Sequence, residues 1–529
     1  MALTNLMLHF TFFCFFVLIM AAQFLKRLNI LVGRTTRLMH RHSMASAILP
    51  PLLFSLVLLV SPYLGSSSYH TSYTYDGKHY VIRSNRDPRQ PKQTPTCQRS
   101  STDGLPVLHR LSPCSPHGAA AARSQETSTA SVADVLHRDA LRLRSLCGVG
   151  DNDNHGAPAL GSSAPGGGVS IPSRGDPIET LPGAFEYHVT AGFGTPVQEF
   201  TVGFDTLTAG ATLLKCTPCA ATERCDEAFE PSASSSVRQV PCGTPGCPFH
   251  SCSGSPSCTF SMTANNTLLG NVTFLTDTLT LASSTTLDNF RFACLEAGFR
   301  PKNNSTGVLD LSWNSHSLAS RAPAILGTAA FSYCLPSSPD TMGFLSIGPP
   351  KPEVSGRKAI YTPLRTSSYN GNLYVVDLVG LGLGGPDLSV PPAAFAGDTL
   401  LDLRTTFTYL RPQAYAALRD GFRGRMSQYP AAPPLGKLDT CYNFTGLHMF
   451  MVPVVTLKFD GGADLDLSMD EMMYFPDPDN HFSVACLAFA AAPEHARKVA
   501  AVVGNRAQAS TEVVYDVRGG KLGFVPYRC

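Results

Sequence analysis

Hydrophobic and polar residues alternate in short runs through the second half of the chain, from Phe185 onwards. Residues 186–190 and 199–204 are two such runs, and a Gly-Thr-Pro sequence lies between them at 194–196. Period-two alternation on both sides of a turn predicts a β-hairpin, which here leads into Asp205. We therefore expect an aspartate at the end of a strand.

The same pattern recurs later in the chain. Residues 373–378 and 399–401 are again short β runs, and the second leads directly into Asp402. Two β-rich halves that each present one aspartate predict a duplicated all-β architecture. In such an architecture the two carboxylates meet at a central cleft.

Residues 69–180 are rich in Ser, Pro, Gly, Ala and Arg and lack a sustained strand pattern. That composition is typical of a pro-segment or linker. One helical segment stands out within these residues. Residues 131–146 combine helical apolar spacing with basic residues. The apolar positions are Val132, Val135, Leu136, Leu141, Leu143 and Leu146, and the charged ones are Asp134, Arg138, Asp139, Arg142 and Arg144. A basic amphipathic helix of this kind is suited to docking on an acidic cleft, and a solvated linker helix is the alternative.

Two apolar runs open the chain, at 3–25 and 45–64, with a basic stretch between them. The second run follows Met44 and ends in Gly and Ser residues, the form of a signal peptide before its cleavage zone. We therefore expect residues 1–43 to be an upstream extension and 44–68 to be the signal peptide. The alternative is a signal anchor at 3–25, which would tether the protein to a membrane.

The composition favours a large β-rich globular protein. The chain has 529 residues, of which 43% are hydrophobic and 15% charged, which is sufficient for a buried core. The 41 Lys and Arg residues nearly balance the 39 Asp and Glu residues, so the charge gives no support for a nucleic-acid partner. The 44 Gly and 41 Pro residues favour short strands joined by turns.

Twelve of the sixteen cysteines lie after position 200, as is typical of a secreted or vacuolar protein with up to six disulfides. The twelve are Cys216, Cys219, Cys225, Cys242, Cys247, Cys252, Cys258, Cys294, Cys334, Cys441, Cys486 and Cys529. A zinc site is the alternative, because Cys216 and Cys219 have ligand spacing and Cys225 follows closely. No His-x-x-x-His partner accompanies them, so we expect no metal and no organic cofactor.

Several separate motifs resemble the plant pepsin-like aspartic proteases of the nepenthesin type. They are LPVLHRLSPCSP at 105–116, GTP at 194–196, FSYCLP at 331–336, VVGN at 502–505 and VYDVRGGKLGFVP at 514–526. The resemblance implies an all-β, bilobal pepsin-like fold, with two β-barrel-like lobes and a central cleft. It divides the chain into an N-terminal lobe at 181–360, with a Cys-rich insert at 216–258, and a C-terminal lobe at 361–529. It also implies a bridge between Cys441 and Cys486.

The resemblance assigns Asp205 and Asp402 to a catalytic dyad. In this chemistry an ionised carboxylate takes a proton from water while its protonated partner polarises the scissile carbonyl. Two close carboxylates cannot both ionise easily, so the dyad shares a proton and works at acid pH. The same correspondence makes Thr206, Thr405 and Gly504 supporting residues.

The loops that carry the dyad depart from the family pattern, which is Asp-Thr-Gly and Asp-Ser-Gly. This chain reads DTL at 205–207 and DLR at 402–404. Leu207 keeps a backbone N–H that is able to bond to the carboxylate, whereas Leu403 lacks the hydroxyl that braces the two loops. Arg404 close to the dyad would favour ionisation of both carboxylates and remove the shared proton. A rearranged loop that points Arg404 to solvent is the alternative.

Two further positions differ from the family. The hydrophobic-hydrophobic-Gly motif is intact at 502–504, but Asp310 stands where the first-lobe copy has glycine. We therefore expect the first loop to have lost its buttress. The family's flap tyrosine has no counterpart, because no tyrosine occurs between His188 and Ser332, unless Phe260 takes its role.

Glycosylation sequons occur on and near the predicted flap and elsewhere, and a glycan on the flap would crowd the mouth of the cleft. The candidate residues are Asn265, Asn271, Asn303, Asn304 and Asn443.

Two functions from different classes fit this sequence. The first is an acid endopeptidase, made as a zymogen, that takes a peptide or protein substrate in the cleft. The second is a catalytically inactive binding or inhibitor protein, like the related plant xylanase inhibitors. The retained aspartates favour the first, and the altered loops and flap favour the second. We expect peptide-bond hydrolysis that is impaired by the altered motifs, in a secreted or vacuolar monomer that contacts a membrane only if 3–25 is an anchor.

Overall fold

The computed structural model describes the part of the chain between His70 and Cys529, with gaps, so the expected extension at 1–43 and signal peptide at 44–68 lie outside the described residues. The described residues are 70–85, 104–115, 131–147, 186–208, 211–217, 228–247, 252, 255–264, 267–282, 285–296, 306–323, 327, 329–348, 358–367, 373–478, 480–496, 498–527 and 529. None of the helices within these residues has both the length and the apolar character needed to cross a membrane.

The predicted all-β class is confirmed, since strands are the predominant regular element of the described residues. The strands before residue 350 are β1 (His70–Tyr75), β2 (His79–Asn85), β3 (Leu105–His109), β4 (Tyr187–Phe193), β5 (Gln198–Asp205), β6 (Thr212–Cys216), β7 (Arg238–Gln239), β8 (Thr259–Ala264), β9 (Thr267–Ala282), β10 (Thr285–Glu296), β11 (Gly307–Asp310), β12 (Ala330–Cys334) and β13 (Met342–Ile347).

The later strands repeat the short lengths of the earlier ones. They are β14 (Ile360–Pro363), β15 (Arg365–Thr366), β16 (Tyr374–Val375), β17 (Leu378–Leu383), β18 (Asp398–Leu401), β19 (Thr408–Leu410), β20 (Ala431–Ala432), β21 (Cys441–Asn443), β22 (Met449–Pro453), β23 (Val455–Phe459), β24 (Ala463–Asp466), β25 (Met473–Tyr474), β26 (Val484–Leu487), β27 (Phe489–Ala491), β28 (Val499–Val503), β29 (Glu512–Asp516) and β30 (Lys521–Val525).

Helices are few and mostly short within the described residues. The α-helices are α1 (Val132–Cys147), α2 (Leu318–Arg321), α3 (Pro412–Arg425) and α4 (Met469–Met472). The 3-10 turns are Pro231–Ala233, Pro392–Phe395, Asp460–Gly462, Glu494–Ala496 and Asn505–Gln508.

A fourteen-stranded sheet joins the two halves of the chain, in the order β14-β30-β29-β12-β13-β3-β4-β5-β11-β6-β10-β9-β7, with β8 paired to β9. The predicted hairpin is present as β4 and β5, which pair antiparallel with Val189 opposite Val202. Strand β11 runs parallel to β5 and places Asp310 opposite Asp205. In the second half, β18 likewise runs parallel to β28, with Leu401 opposite Val503. Each predicted aspartate thus lies at the end of a strand that pairs with a parallel neighbour.

The core beneath these strands is dominated by aromatic side chains. Phe331 stacks on Tyr515 with ring centroids 4.5 Å apart, and Tyr333 lies 6.1 Å from Phe204, one residue before Asp205. Burying a side chain of this size contributes about 1.5–3 kcal/mol. Aromatic packing against Phe204 therefore holds in place the strand that ends in Asp205.

The segment at 69–180 contains more strand than its sequence predicts. Strands β1 and β2 form a hairpin that pairs with β22, and β3 lies between β13 and β4 in the large sheet. The local sequence pattern did not show these strands, because the edges of distant strands supply their hydrogen-bond partners. The predicted helix at 131–146 is confirmed as α1.

Five disulfides have both of their cysteines among the described residues. They join Cys216 to Cys294, Cys242 to Cys252, Cys247 to Cys258, Cys334 to Cys529 and Cys441 to Cys486. The last is the bridge that the family resemblance predicts. Cys219 and Cys225 lie outside the described residues. Cys216 is not available as a zinc ligand, because its sulfur is bonded to that of Cys294. The sulfurs of Cys242, Cys247 and Cys252 lie close together, but they too are in disulfides.

Candidate active site

The two predicted dyad residues come together at one buried point. Asp205 is the last residue of β5 and Asp402 follows β18 directly, and their exposed fractions are 1% and 0%. The same guanidinium nitrogen, Nη2 of Arg142, lies 2.9 Å from Asp205 Oδ2 and 2.8 Å from Asp402 Oδ1. One side chain therefore bridges both carboxylates.

The first dyad loop keeps the hydrogen bond that the altered motif put in question. The backbone N–H of Leu207 donates to Asp205 Oδ1 at 2.9 Å. Leu207 has no positive φ angle, since the described non-glycine residues with positive φ are Asn289, Ser510 and Tyr527. A leucine is therefore accommodated here without left-handed strain.

The second dyad loop is held by threonine and by the backbone. Both the N–H and the hydroxyl of Thr405 donate to Asp402 Oδ2, the N–H at 3.0 Å. Thr206 reaches across from the first loop, with its hydroxyl 3.4 Å from the carbonyl of Leu401. Leu403 contributes no hydroxyl, and its buried side chain packs in the core.

Residues after β28 complete the support of the second loop. Asn505 Nδ2 donates to the carbonyl of Leu403 at 2.9 Å, and Gln508 Nε2 donates to the carbonyl of Asp402 at 3.2 Å. Gly504 lies so close to this loop that a Cβ atom would approach the carbonyl oxygen of Phe407 to 2.4 Å. Glycine is therefore required at 504 for the loop to keep its position.

Asp310 braces the first loop in place of the glycine that the family has there. Its Oδ1 accepts a hydrogen bond from the hydroxyl of Thr208 at 2.5 Å and another from the N–H of Ser312 at 2.8 Å. The side chain is fully buried, and burial raises the pKa of Asp310. The expectation of a lost buttress was wrong in this respect, because the carboxylate reaches the loop that a glycine would only have packed against.

Arg404 is buried, with 8% of its surface exposed, so the alternative that it points to solvent was wrong. Burial raises the pKa of Asp205, and the charge of Asp402 raises it further, although Arg142 and Arg404 act to lower it. Burial also disfavours ionisation of Asp402, but Arg142, Thr405 and Arg404 hold the pKa of Asp402 below its usual range. Arg404 thus favours ionisation of both carboxylates, as predicted, yet their pKa values move in opposite directions, the pattern of a pair that shares one proton.

Helix α1 supplies Arg142 and makes a second polar contact with the site through Asp139, about one turn earlier in the helix. Asp139 is fully buried and accepts hydrogen bonds from the N–H of Thr406 at 2.8 Å and of Phe407 at 3.1 Å. It also accepts one from the hydroxyl of Tyr409 at 3.1 Å. Asp139 therefore satisfies backbone groups of the loop that follows Asp402.

The apolar face of α1 packs into the same region. Val135, Leu136, Leu143 and Leu146 belong to a buried cluster that also contains Leu207, Leu373, Leu400, Phe407 and Tyr409. The predicted docking of this helix is confirmed, and the alternative of a solvated linker helix is excluded. The sequence marked the helix as basic and amphipathic but carried no sign of which residue each charge would meet.

A third contact ties α1 to the start of β4. Glu186 accepts hydrogen bonds from Arg138 Nη2 and Arg110 Nε, both at 2.7 Å, and His109 Nε2 lies 3.4 Å away. Burial opposes ionisation of Glu186, but these three residues hold its pKa well below the usual range. Glu186 did not emerge from the sequence as an anchor, because its partners lie on separate elements.

The flap region forms the β8–β9 hairpin, in which Thr259 pairs with Thr273. The side chain of Phe260 lies outside the described residues, as do Asn265, Asn303 and Asn304. Asn271 on β9 and Asn443 on β21 are exposed and so remain predicted glycosylation sites.

Comparison with known protein families gives two adjoining matches. Residues 187–349 match the family model described as Xylanase inhibitor N-terminal, and residues 373–526 match Xylanase inhibitor C-terminal. Together these matches include both aspartates, the Cys-rich region and the C-terminal strands, whereas α1 precedes them.

Several curated plant proteins are similar in sequence. An aspartyl protease family protein of Arabidopsis thaliana is 34% identical over 66% of this chain and 73% of its own length. Aspartyl protease 25 of Oryza sativa is 30% identical over 73% of this chain and 91% of its own length. Aspartic proteinase nepenthesin-2 of Nepenthes gracilis is 29% identical over 68% and 81%.

Two solved seed-protein structures share the fold. Conglutin gamma from lupine aligns over 65% of this chain and 92% of its own, with a TM-score of 0.52 and 18% identity. Basic 7S globulin from soybean aligns over 65% and 94%, with a TM-score of 0.50 and 18% identity. At this level of identity the likeness concerns the fold alone.

Proposed function

The chain belongs to the plant aspartyl protease family, and from this premise we propose that it is an aspartic endopeptidase folded as a latent precursor. Asp205 and Asp402 form its dyad, and Arg142 on α1 blocks them. The observation that carries the proposal is the single guanidinium that donates to both carboxylates. An arginine in that position occupies the place where a peptide and its attacking water have to lie.

The dyad performs hydrolysis once α1 has left the cleft. The ionised carboxylate takes a proton from water, whose oxygen attacks the carbonyl carbon of the peptide, while the protonated carboxyl gives its proton to the carbonyl oxygen. The tetrahedral intermediate then collapses: the amide nitrogen takes the proton that the first carboxylate had removed from water, a hydroxyl of the intermediate returns a proton to the second carboxylate, and the C–N bond breaks. Leu207 and Thr405 keep the carboxylates oriented through the hydrogen bonds described above.

The surface that α1 covers supports a preference for apolar peptide side chains. Leu207, Leu373, Phe407 and Tyr409 belong to the same buried cluster as the apolar face of the helix, so its departure leaves an apolar lining beside the dyad. Peptides with bulky apolar residues bury the most surface against such a lining. Disulfides of the kind seen here form in the secretory pathway, and we place the mature monomer outside the cell or in the vacuole.

A second candidate is a binding protein that keeps the cleft without hydrolysis. Two features favour it: Leu403 lacks the bracing hydroxyl, and the charge of Arg404 favours ionisation of both carboxylates. A dyad with two ionised carboxylates has no proton to give to the carbonyl oxygen.

The test is acid hydrolysis by the purified secreted precursor. A denatured protein substrate is incubated between about pH 3 and 6, where a shared-proton dyad works. Parallel samples contain pepstatin, the Asp205→Asn variant, or Asp288→Asn as a matched control that neutralises an exposed aspartate of the same half. Cleavage lost with pepstatin and in Asp205→Asn, but kept in Asp288→Asn, supports the enzyme. Equal, negligible cleavage in every sample, and also in an Arg142→Met precursor that lacks the blocking guanidinium, refutes it and favours the binding protein.

A further inference from the structure

A cavity of about 290 Å³ in the first half of the chain gathers basic and hydrogen-bonding side chains from separate segments. The side chains that matter are Gln239, Thr276, Asn289, Arg291, His316 and Arg321. They come from β7, β9, β10, the loop after β11, and α2. Nothing in the proposed hydrolysis uses them.

Arg291 forms the buried wall of this cavity. Only 8% of its surface is exposed, its Nη1 donates to the carbonyl of Gly246 at 2.6 Å, and its guanidinium carbon lies 5.1 Å from the ring centroid of Phe274. Burial lowers the pKa of Arg291 to about 10, although the charge of Asp310 acts in the opposite direction. The residue is thus held at the cavity at a cost in the solvation of its charge.

His316 and Arg321 supply two further nitrogen-bearing side chains to the lining. His316 is half-buried, hydrogen-bonds to the backbone of Pro245, and has a pKa that burial, Arg291 and Arg321 all lower. Arg321 ends α2 and is exposed to solvent. Three groups that repel one another's charge therefore share one cavity.

The described lining itself contains no carboxylate. The carboxylate that acts on Arg291 is that of Asp310, which lies outside the lining and accepts hydrogen bonds from Thr208 and Ser312. Asp277 is the nearest acidic residue along β9, next to Thr276, but side chains alternate between the faces of a strand. Its Oδ1 accepts a hydrogen bond from the hydroxyl of Ser236 at 2.6 Å. The negative charge of Asp277 is thus directed to the other face of the sheet.

We propose that this cavity is a binding site for an oxyanion, carried either by a free ion such as phosphate or by the carboxylate of an acidic peptide side chain. Arginine guanidinium groups match the geometry of such oxygens and make charge-assisted hydrogen bonds to them. The amides of Gln239 and Asn289 and the hydroxyl of Thr276 supply additional donors around the anion. The cavity is near the lower end of the range for small-molecule sites, about 300–1,000 Å³. The inference does not depend on the proposed hydrolysis.

The experiment uses the full precursor carrying Asp205→Asn, so that self-cleavage cannot interfere. Inorganic phosphate and a short oligoglutamate peptide are titrated separately at constant ionic strength, with chloride as the reference anion. Binding is followed by the thermal midpoint of unfolding and by the imidazole NMR signal that disappears in His316→Gln. An anion in the cavity should raise the midpoint and raise the pKa of His316.

The variants Arg321→Gln and His316→Gln test the location, with Arg518→Gln, an exposed arginine on the β29–β30 turn, as the matched control. Loss of one charge-assisted donor should weaken anion binding about tenfold, while Arg518→Gln should leave it unchanged. Phosphate binding alone identifies a free ion as the ligand, and tighter binding of oligoglutamate identifies a peptide carboxylate. The proposal is overturned if neither probe exceeds chloride, or if all three variants bind alike.

Discussion

Arg142 is the residue whose replacement tests the latent precursor most directly. The substitution Arg142→Met removes the guanidinium but keeps an unbranched apolar side chain of intermediate length. Arg142 is 6% exposed and donates to both dyad carboxylates and to the carbonyl of Leu207. We expect the variant to fold, because most of the helix interface is apolar, but to hold α1 in the cleft much less firmly.

The size of the effect follows from the cost of breaking a buried ion pair by removing one partner, about 3–5 kcal/mol. Each 1.4 kcal/mol is a factor of ten, so the ratio of docked to undocked helix should fall by about two to nearly four orders of magnitude. The lower end applies in acid, because the two carboxylates relieve their mutual repulsion by taking up a proton.

The assay is amide hydrogen exchange of residues 132–147, followed by mass spectrometry in an Asp205→Asn background that prevents self-cleavage. In the catalytically intact background, the time for conversion of the precursor at about pH 4 gives a second readout. The matched control is Arg144→Met, which removes the same charge from an exposed position of the same helix. Exchange should accelerate at least about a hundredfold in Arg142→Met and little in Arg144→Met.

Equal exchange rates in the two variants would refute the reasoning, because the guanidinium would then contribute no more than an exposed charge does. If exchange is faster in Arg142→Met but the conversion time is unchanged, Arg142 holds the helix in the cleft without keeping the precursor inactive.

Three further predictions concern the surroundings of the dyad. Burial raises the pKa of Asp139 from 3.8 to about 7, so its contribution to docking is present in acid and is lost as the pH rises through about 7; Asp139→Asn should abolish this pH dependence of α1 exchange. Asp310→Ala leaves buried donors without an acceptor, at about 1–3 kcal/mol, and should lower the thermal midpoint by at least about 2 °C, whereas Asp310→Asn should lower it less. Arg404→Gly removes a positive charge from the dyad, so the pKa values of both carboxylates should rise and the alkaline limb of kcat/KM should move up by about one pH unit.

Each of these predictions has an outcome that would contradict it. The pKa of Asp402 is lowered from 3.8, so its contribution to docking of the helix is lost as the pH falls, the opposite direction to that of Asp139. This loss should occur only in stronger acid, and it should be the same in the wild type and in Asp139→Asn. An Asp139→Asn profile that still falls between about pH 4 and 7 would assign that titration to another group. Equal midpoints for the alanine and asparagine variants at 310 would show that the carboxylate braces nothing. A pH profile that is the same for Arg404→Gly and Arg518→Gln would remove Arg404 from the electrostatics of the dyad.

Local patterns were enough to predict the elements that carry the site. The alternation around 194–196 predicted the β4–β5 hairpin and its closing Asp205, and the apolar spacing at 131–146 predicted α1 to within one residue at each end. These predictions succeed because strand and helix periods are written into neighbouring residues. The recurrence of this pattern at 399–401 predicted Asp402, and the family resemblance added the Cys441–Cys486 bridge.

The partners of those elements were decided by the tertiary structure alone. Arg142 and Asp402 are separated by 260 positions, and neither residue's neighbours indicate that the two will meet. From the sequence, Asp310 was only the replacement of a glycine that the family has at this position. In the fold its carboxylate accepts a hydrogen bond from the hydroxyl of Thr208. Strands β1 and β2 gave no sustained pattern because their stability comes from the edge of β22. The sequence alone determined which residues could carry charge or form strands; only the folded chain, which brings distant segments within hydrogen-bond distance, decided what each of them contacts.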